Sequence, residues 1–128
     1  MWPDHFPEGC PINAVGKSVE VFRLVDNNPP LESDFIALSQ QGRKVRGDAC
    51  QACGLSVFEL YDDAVQQNEV LAGSIYFQRN NLPKKKIAVG RTNPEYGMTR
   101  NTPVQERTSH LTYWIFKDKD VTDHFSVI

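Results

Sequence analysis

The chain has 128 residues, 40% of them apolar and 23% charged, a balance that suits one folded domain around one core and excludes a disordered polymer. Its formal net charge of −2 is far from the strongly basic composition of most nucleic-acid-binding domains, and no stretch approaches the ~20 consecutive apolar residues of a bilayer span. Three cysteines, few and odd in number, argue against a secreted disulfide framework and for a cytoplasmic setting.

Residues 1–18 read as an irregular arm, punctuated by Pro3, Pro7, Gly9, Pro11 and Gly16 and pinned to the body by Trp2, Phe6 and Ile12. The arm has neither the basic start nor the apolar run of a secretory leader. Residues 19–128 are expected to form the domain proper. The β-branched run Val19 to Val25 predicts a strand, ended by Asp26-Asn27-Asn28-Pro29-Pro30. Leu31, Phe35 and Leu38 recur at helical spacing behind those prolines, so a helix is expected up to Gly42. A short helical turn follows over Asp48 to Cys53, then a strand over Leu55 to Leu60 and a helix capped by Asp62 or Asp63 and closed by Gly73.

Ser74 to Phe77 reads as a short strand and Lys85 to Arg91 as a better one. Thr92 to Thr108 is polar and rich in turn residues, a long loop of the kind that often serves function. Ser109 to Phe116 carries the strongest strand pattern, and Phe125 to Ile128 follows a helical turn over Asp120 to His124. Helices early and strands late favour an α+β fold, with a mostly antiparallel or mixed sheet, over a doubly wound one.

Charge divides along the chain. Residues 1–78 hold eleven acids against five bases, whereas residues 79–107 hold seven bases against two acids. Lys84, Lys85, Lys86 and Arg91 are the natural contacts for an anionic ligand. A nucleic acid could also stack on Tyr76, Phe77 and Tyr96. The bland alternative is a solvated strand end whose lysines discourage edge pairing.

Gly16-Lys17-Ser18 lacks the preceding strand and upstream glycine of a phosphate loop and is set aside. Cys50 and Cys53 have the spacing of a zinc knuckle or a redox pair, and Cys10 with His5 could complete a four-ligand zinc set. Two small apolar side chains on the core side of a turn fit the same spacing. On the strand from Ser109, His110, Thr112 and Trp114 share one face and would offer hydrogen bonding and stacking to a ligand, unless that face is itself core.

The run Val21-Phe22-Arg23-Leu24, a helical stretch, Gly54-Leu55-Ser56-Val57-Phe58 and a helix containing Asp63-Ala64 together resemble the layout of ADP-ribosyltransferase-like domains. The resemblance implies that Arg23 and Ser56 hold the nicotinamide-side ribose and phosphates of NAD, and that a later residue, Glu106 or His110, orients the reacting ribose. Arg23 on a mostly apolar strand is costly unless it is paired or faces a site.

These readings leave three functions open. One is a binding or regulatory module acting through a protein partner or bound anion, away from membranes. A second is an NAD-using enzyme or its non-catalytic relative. A third is a nucleic-acid binder using residues 79–107.

Overall fold

The computed structural model describes residues 1–42 and 45–128. Six strands form one antiparallel sheet: β1 (Glu20–Val25), β2 (Leu55–Phe58), β3 (Lys86–Arg91), β4 (Gly97–Asn101), β5 (His110–Ile115) and β6 (Phe125–Val127). Their spatial order is β4-β5-β2-β1-β3-β6, so β1 and β2 lie at the centre. Two helices, α1 (Tyr61–Ala72) and α2 (Ile75–Arg79), complete a single α+β domain with short 3-10 turns between the elements.

The strands bury both faces. On one, Val21 and Val25 of β1, Leu55 and Val57 of β2, Ala88 of β3, Leu111 and Tyr113 of β5 and Phe125 of β6 make the main core. The period of two along each strand turns the intervening residues to the other face. There the register sets Phe22, Phe58 and His110 in a row across β1, β2 and β5. Ser56 stands opposite Thr112 on the same side. Helix α1 packs on β1 and β2, with Tyr61 edge-on to Phe22.

The pairing of β1 with β2 is confined to Phe22 and Phe58, whereas β1 and β3 pair along six residues. The central sheet therefore parts beyond Phe22, where Arg23 to Val25 face Leu55 to Val57 without a ladder. Asn68 on α1 grips Lys85, donating to its carbonyl at 2.8 Å and accepting from its amide at 3.1 Å, and so fixes the entry to β3.

Several expectations change. The predicted helix over residues 31–42 is two 3-10 turns, Glu32–Phe35 and Leu38–Gln40. Asp34 is the cause: its carboxylate accepts from the amides of Asp26 and Leu31 and from Asn27 Nδ2. That ties the chain into a tight loop, as short polar side chains do when they compete with a helix for backbone donors. Ser74 to Phe77 is not a strand, because Ser74 Oγ accepts from Phe77 N and starts α2. The long loop from Thr92 contains the edge strand β4. Asp63 does not cap α1 but takes the amide and hydroxyl of Ser109.

In the arm of residues 1–18, Trp2 and Phe6 pack on the body, whereas Ile12 is exposed. Trp114 is fully buried with Cys10 and Cys53, and Trp2, Phe6 and Cys50 pack around them. Cys10 and Cys50 form a disulfide, a pairing that none of the readings of the cysteines offered. It corrects the proposed zinc set. Sulfurs bonded to each other are not thiolate ligands, and among the described residues no group of three or more His, Cys, Asp or Glu side chains could hold a metal ion. No helix of the described residues is long and apolar enough to cross a membrane.

The bridge spans 40 residues of chain, a loop whose closure stabilises a fold by about 4 kcal/mol on the chain-entropy estimate. Replacing both Cys10 and Cys50 with alanine is therefore expected to lower the unfolding free energy by about 3–4 kcal/mol in urea titrations. An unchanged midpoint would show that the arm does not depend on the bridge.

Candidate functional site

A cleft of about 640 Å³ opens beside the gap between β1 and β2 and is lined by residues of both faces of the sheet, within the size range of small-molecule and cofactor sites. Its floor is Leu24 of β1, Ser56 and Phe58 of β2 and His110 of β5. Leu71 of α1, Phe77 of α2 and Ile36 supply apolar walls, and Lys84 to Lys86 form the rim. Arg23 also lines it.

Arg23 enters where β1 and β2 part. Its Nε donates to the carbonyl of Asp34 at 3.0 Å and its Nη1 to the carbonyl of Ser56 at 2.8 Å. The guanidinium thus stands in for the missing ladder, and its carbon lies 5.6 Å from the centre of the Phe35 ring. Burial pulls its pKa down to about 10, against the nearby charges of Asp34 and Asp26, which raise it. The group remains a cation at neutral pH.

No carboxylate lies within ion-pair distance of Arg23 among the described residues. Desolvation works to raise the Asp34 pKa, but the amides of Leu31 and Asp26 and the side chain of Asn27 outweigh it and hold the carboxyl below the usual range. Its charge is thereby committed to backbone donors. Asp26 is engaged by Lys85 Nζ at 2.9 Å, and its carbonyl by Lys86 Nζ at 3.1 Å. Nη2 of Arg23 makes no hydrogen bond among the described residues, so a positive group is left at the cleft.

His110 is 4% exposed. Its Nδ1 lies 2.7 Å from the carbonyl of Thr102 and 2.8 Å from the Thr102 hydroxyl. A carbonyl only accepts, so Nδ1 carries the hydrogen and Nε2 keeps a lone pair. The Thr102 hydroxyl also meets that of Thr112 at 2.8 Å. Burial lowers the His110 pKa, and the Arg107 charge lowers it further, against the hydrogen bond to Thr102 that raises it. The ring is neutral at pH 7, a hydrogen-bond acceptor through Nε2, which has no partner among the described residues. The Ser56 hydroxyl likewise makes no hydrogen bond among them.

The structure thus brings Arg23, Ser56 and His110, from three separate strands, to one cleft, with Lys84, Lys85 and Lys86 beside them. Glu106 lies apart, exposed on the turn after Val104. Thr112 is held by Thr102, and Trp114 is fully buried with its indole N–H on the Cys50 carbonyl at 2.8 Å, so neither presents the expected stacking surface. Arg91 donates to the carbonyl of Ser18 away from the cleft. Tyr76 and Phe77 do line it, whereas Tyr96 packs edge-on to His124. The basic segment is dispersed: Arg100 lies over Trp114 at 5.1 Å and Arg107 is buried beside Gln66.

Sequence reading missed Thr102 and Asp34. Neither lies in a motif, and only the pairing of β5 with its neighbours brings Thr102 to His110. Comparisons with protein-family models, curated proteins and solved structures give no match to this chain.

The lowered His110 pKa has a consequence for stability. Between its folded pKa and the ordinary value near 6.5 the unfolded chain binds the proton and the folded one does not, so stability falls as pH drops through that window. Urea midpoints at pH 7.5 and 5.5 are expected to differ less in His110→Gln than in the wild type. Equal differences would place the acid sensitivity elsewhere.

Proposed function

We propose that the cleft binds NAD, and that the chain is an ADP-ribosyltransferase-like enzyme or a non-catalytic relative of one. The observation that carries this reading is the convergence of Arg23, Ser56 and His110 on one cleft of about 640 Å³. They come from positions 33 and more residues apart, and Arg23 and Ser56 are the pair that the resemblance assigns to NAD.

The chemistry of the cleft suits such a ligand. Arg23 offers a cation with one guanidinium nitrogen unused, fitted to a phosphate oxygen. The Ser56 hydroxyl can donate to phosphate or ribose, and neutral His110 can accept from a ribose hydroxyl through Nε2. Apolar surface from Leu24 and Phe58 on the floor and Leu71 on the wall suits the faces of a nicotinamide or adenine ring. If the chain is catalytic, the C–N bond between nicotinamide and ribose breaks and the ribose carbon passes to an acceptor. His110 then orients the ribose in place of a glutamate.

One observation favours the non-catalytic form, a binding or regulatory module that acts through a bound anion and a protein partner. Asp26 is the sole carboxylate among the described residues lining the cleft, and Lys85 neutralises it. No second acid stands ready to stabilise a developing cationic ribose. A nucleic acid reached through Lys84 to Lys86 is the remaining alternative for an anionic partner. The Cys10–Cys50 bridge favours an oxidising compartment over the cytoplasm expected from the cysteine count.

Calorimetric titration with NAD and with ADP-ribose, together with an assay of nicotinamide release, tests the reading. Binding should weaken about tenfold or more in Ser56→Ala and His110→Ala, the loss of one hydrogen bond to a charged or buried group. Release of nicotinamide marks an enzyme, and binding without release marks the non-catalytic form. Neither NAD nor ADP-ribose binding to the folded protein would sink the proposal.

A further inference from the structure

Cys50 and Cys53 bracket a 3-10 turn, in which the amide of Cys53 donates to the carbonyl of Cys50 at 3.0 Å. Side chains three residues apart in such a turn eclipse one another, so both sulfurs lie on one side of it. Cys10 reaches the same place from the arm and is bonded to Cys50. Cys53 is a free thiol, buried in one cluster with Cys10 and Trp114. The free thiol therefore packs in the same cluster as the bridge.

The two bridged cysteines are held unequally. Cys50 is fixed without its bridge: the indole of Trp114 holds its carbonyl at 2.8 Å, and Asp48 accepts from its amide at 2.8 Å. Cys10 belongs to the arm. Residues 12–15 are tied to β4, through Arg100 to the Ile12 carbonyl and through the bridge between Val15 and Thr99. Ahead of Cys10 the arm is held by the tilted contact of Trp2 with Phe116 and two links to Lys117, one of them an exposed ion pair with Asp4. Cys53 also lines a second cavity of about 610 Å³ with His5 and Phe6 of the arm, which gives a small thiol a way in.

We infer that Cys10, Cys50 and Cys53 form a thiol–disulfide exchange site, in which the bridge passes from Cys10–Cys50 to Cys50–Cys53 and frees residues 1–11 of the arm. In the step, Cys53 loses its proton and its thiolate attacks Cys50 Sγ. The Cys53–Cys50 bond forms as the Cys50–Cys10 bond breaks, and Cys10 leaves as a thiolate that takes up a proton. Cys53 and Cys50 end oxidised and Cys10 reduced, with no external oxidant. A low-molecular-weight thiol can open either bridge and reset the site. The site is independent of what the cleft binds.

The test uses the full chain in glutathione buffers of graded ratio, trapped with an alkylating agent and digested with trypsin without reduction. Cleavage after Lys17, Arg46 and Arg79 puts Cys10 in one peptide and both Cys50 and Cys53 in another. Exchange predicts two populations in the wild type: the cross-linked peptides with Cys53 alkylated, and an unlinked peptide 47–79 lighter by two hydrogens with Cys10 alkylated. Cys53→Ala should lose the second population and keep the first. Cys10→Ala, oxidised, should carry the Cys50–Cys53 bridge and expose residues 1–11 to limited proteolysis. Wild type that alkylates only at Cys53 whenever a bridge is present, at every ratio, would overturn the inference. So would two free thiols in oxidised Cys10→Ala.

Discussion

Two backbone carbonyls, Asp34 O and Ser56 O, converge on the guanidinium of Arg23, and the shape of the site depends on that meeting. β1 and β2 are joined at Phe22 and Phe58 alone, and beyond that point a continuous ladder would close the sheet. A long cationic side chain takes the place of the ladder, satisfying the carbonyls of Asp34 and Ser56. The gap is thereby kept open and is lined by polar groups. Burial disfavours the charge, as its lowered pKa of about 10 records, but two charge-assisted hydrogen bonds offset part of that cost.

The arrangement also explains why the charge is not cancelled. An arginine inside a protein is usually paired with a carboxylate. Asp34 is close by, but both its oxygens serve the amides and side chain of the loop 26–31, and Asp26 is occupied by Lys85. Each acid has another structural duty, so the cleft keeps a positive bias while the chain as a whole carries −2. His110 complements it as a neutral acceptor, its tautomer fixed by a backbone carbonyl and its neutrality by burial and by Arg107. The Arg23 cation, the Ser56 hydroxyl and the His110 acceptor all belong to residues that line the one cleft.

Five of the six strands were legible because their patterns are local: β-branched runs in β1, β2 and β3, an aromatic run in β5 and a short apolar end in β6. β4 was not, since Gly-Met-Thr-Arg-Asn at a sheet edge buries only Gly97 and Thr99 and reads as loop. The failed helix over residues 31–42 carries the helical spacing, yet Leu31 and Leu38 are each about half exposed and only Phe35 reaches the core. A single aspartate taking three nearby donors outweighed the pattern. Arg23 could be singled out from sequence because a cation on an apolar strand demands a partner, whereas Ser56 was reached only through the resemblance. Their partners could not, since Thr102, Asp34 and the cleft itself are products of strand order. The cysteines were misread for a similar reason: Cys10 and Cys50 are 40 residues apart, and only the packing of the arm on Trp114 brings them together.

The central claim is that Arg23 and His110 face one anionic, ribose-bearing ligand. It is tested most directly by nitrogen-15 NMR of the folded protein titrated with ADP-ribose, following the Arg23 Nε–H and the His110 ring nitrogens. The account predicts that both residues shift together and saturate at the same ligand concentration, with His110 Nε2 moving as it accepts a hydrogen bond and Nδ1 keeping its hydrogen. Signals of both residues that stay in place at saturating ligand, or that move while a distant surface moves more, would contradict it.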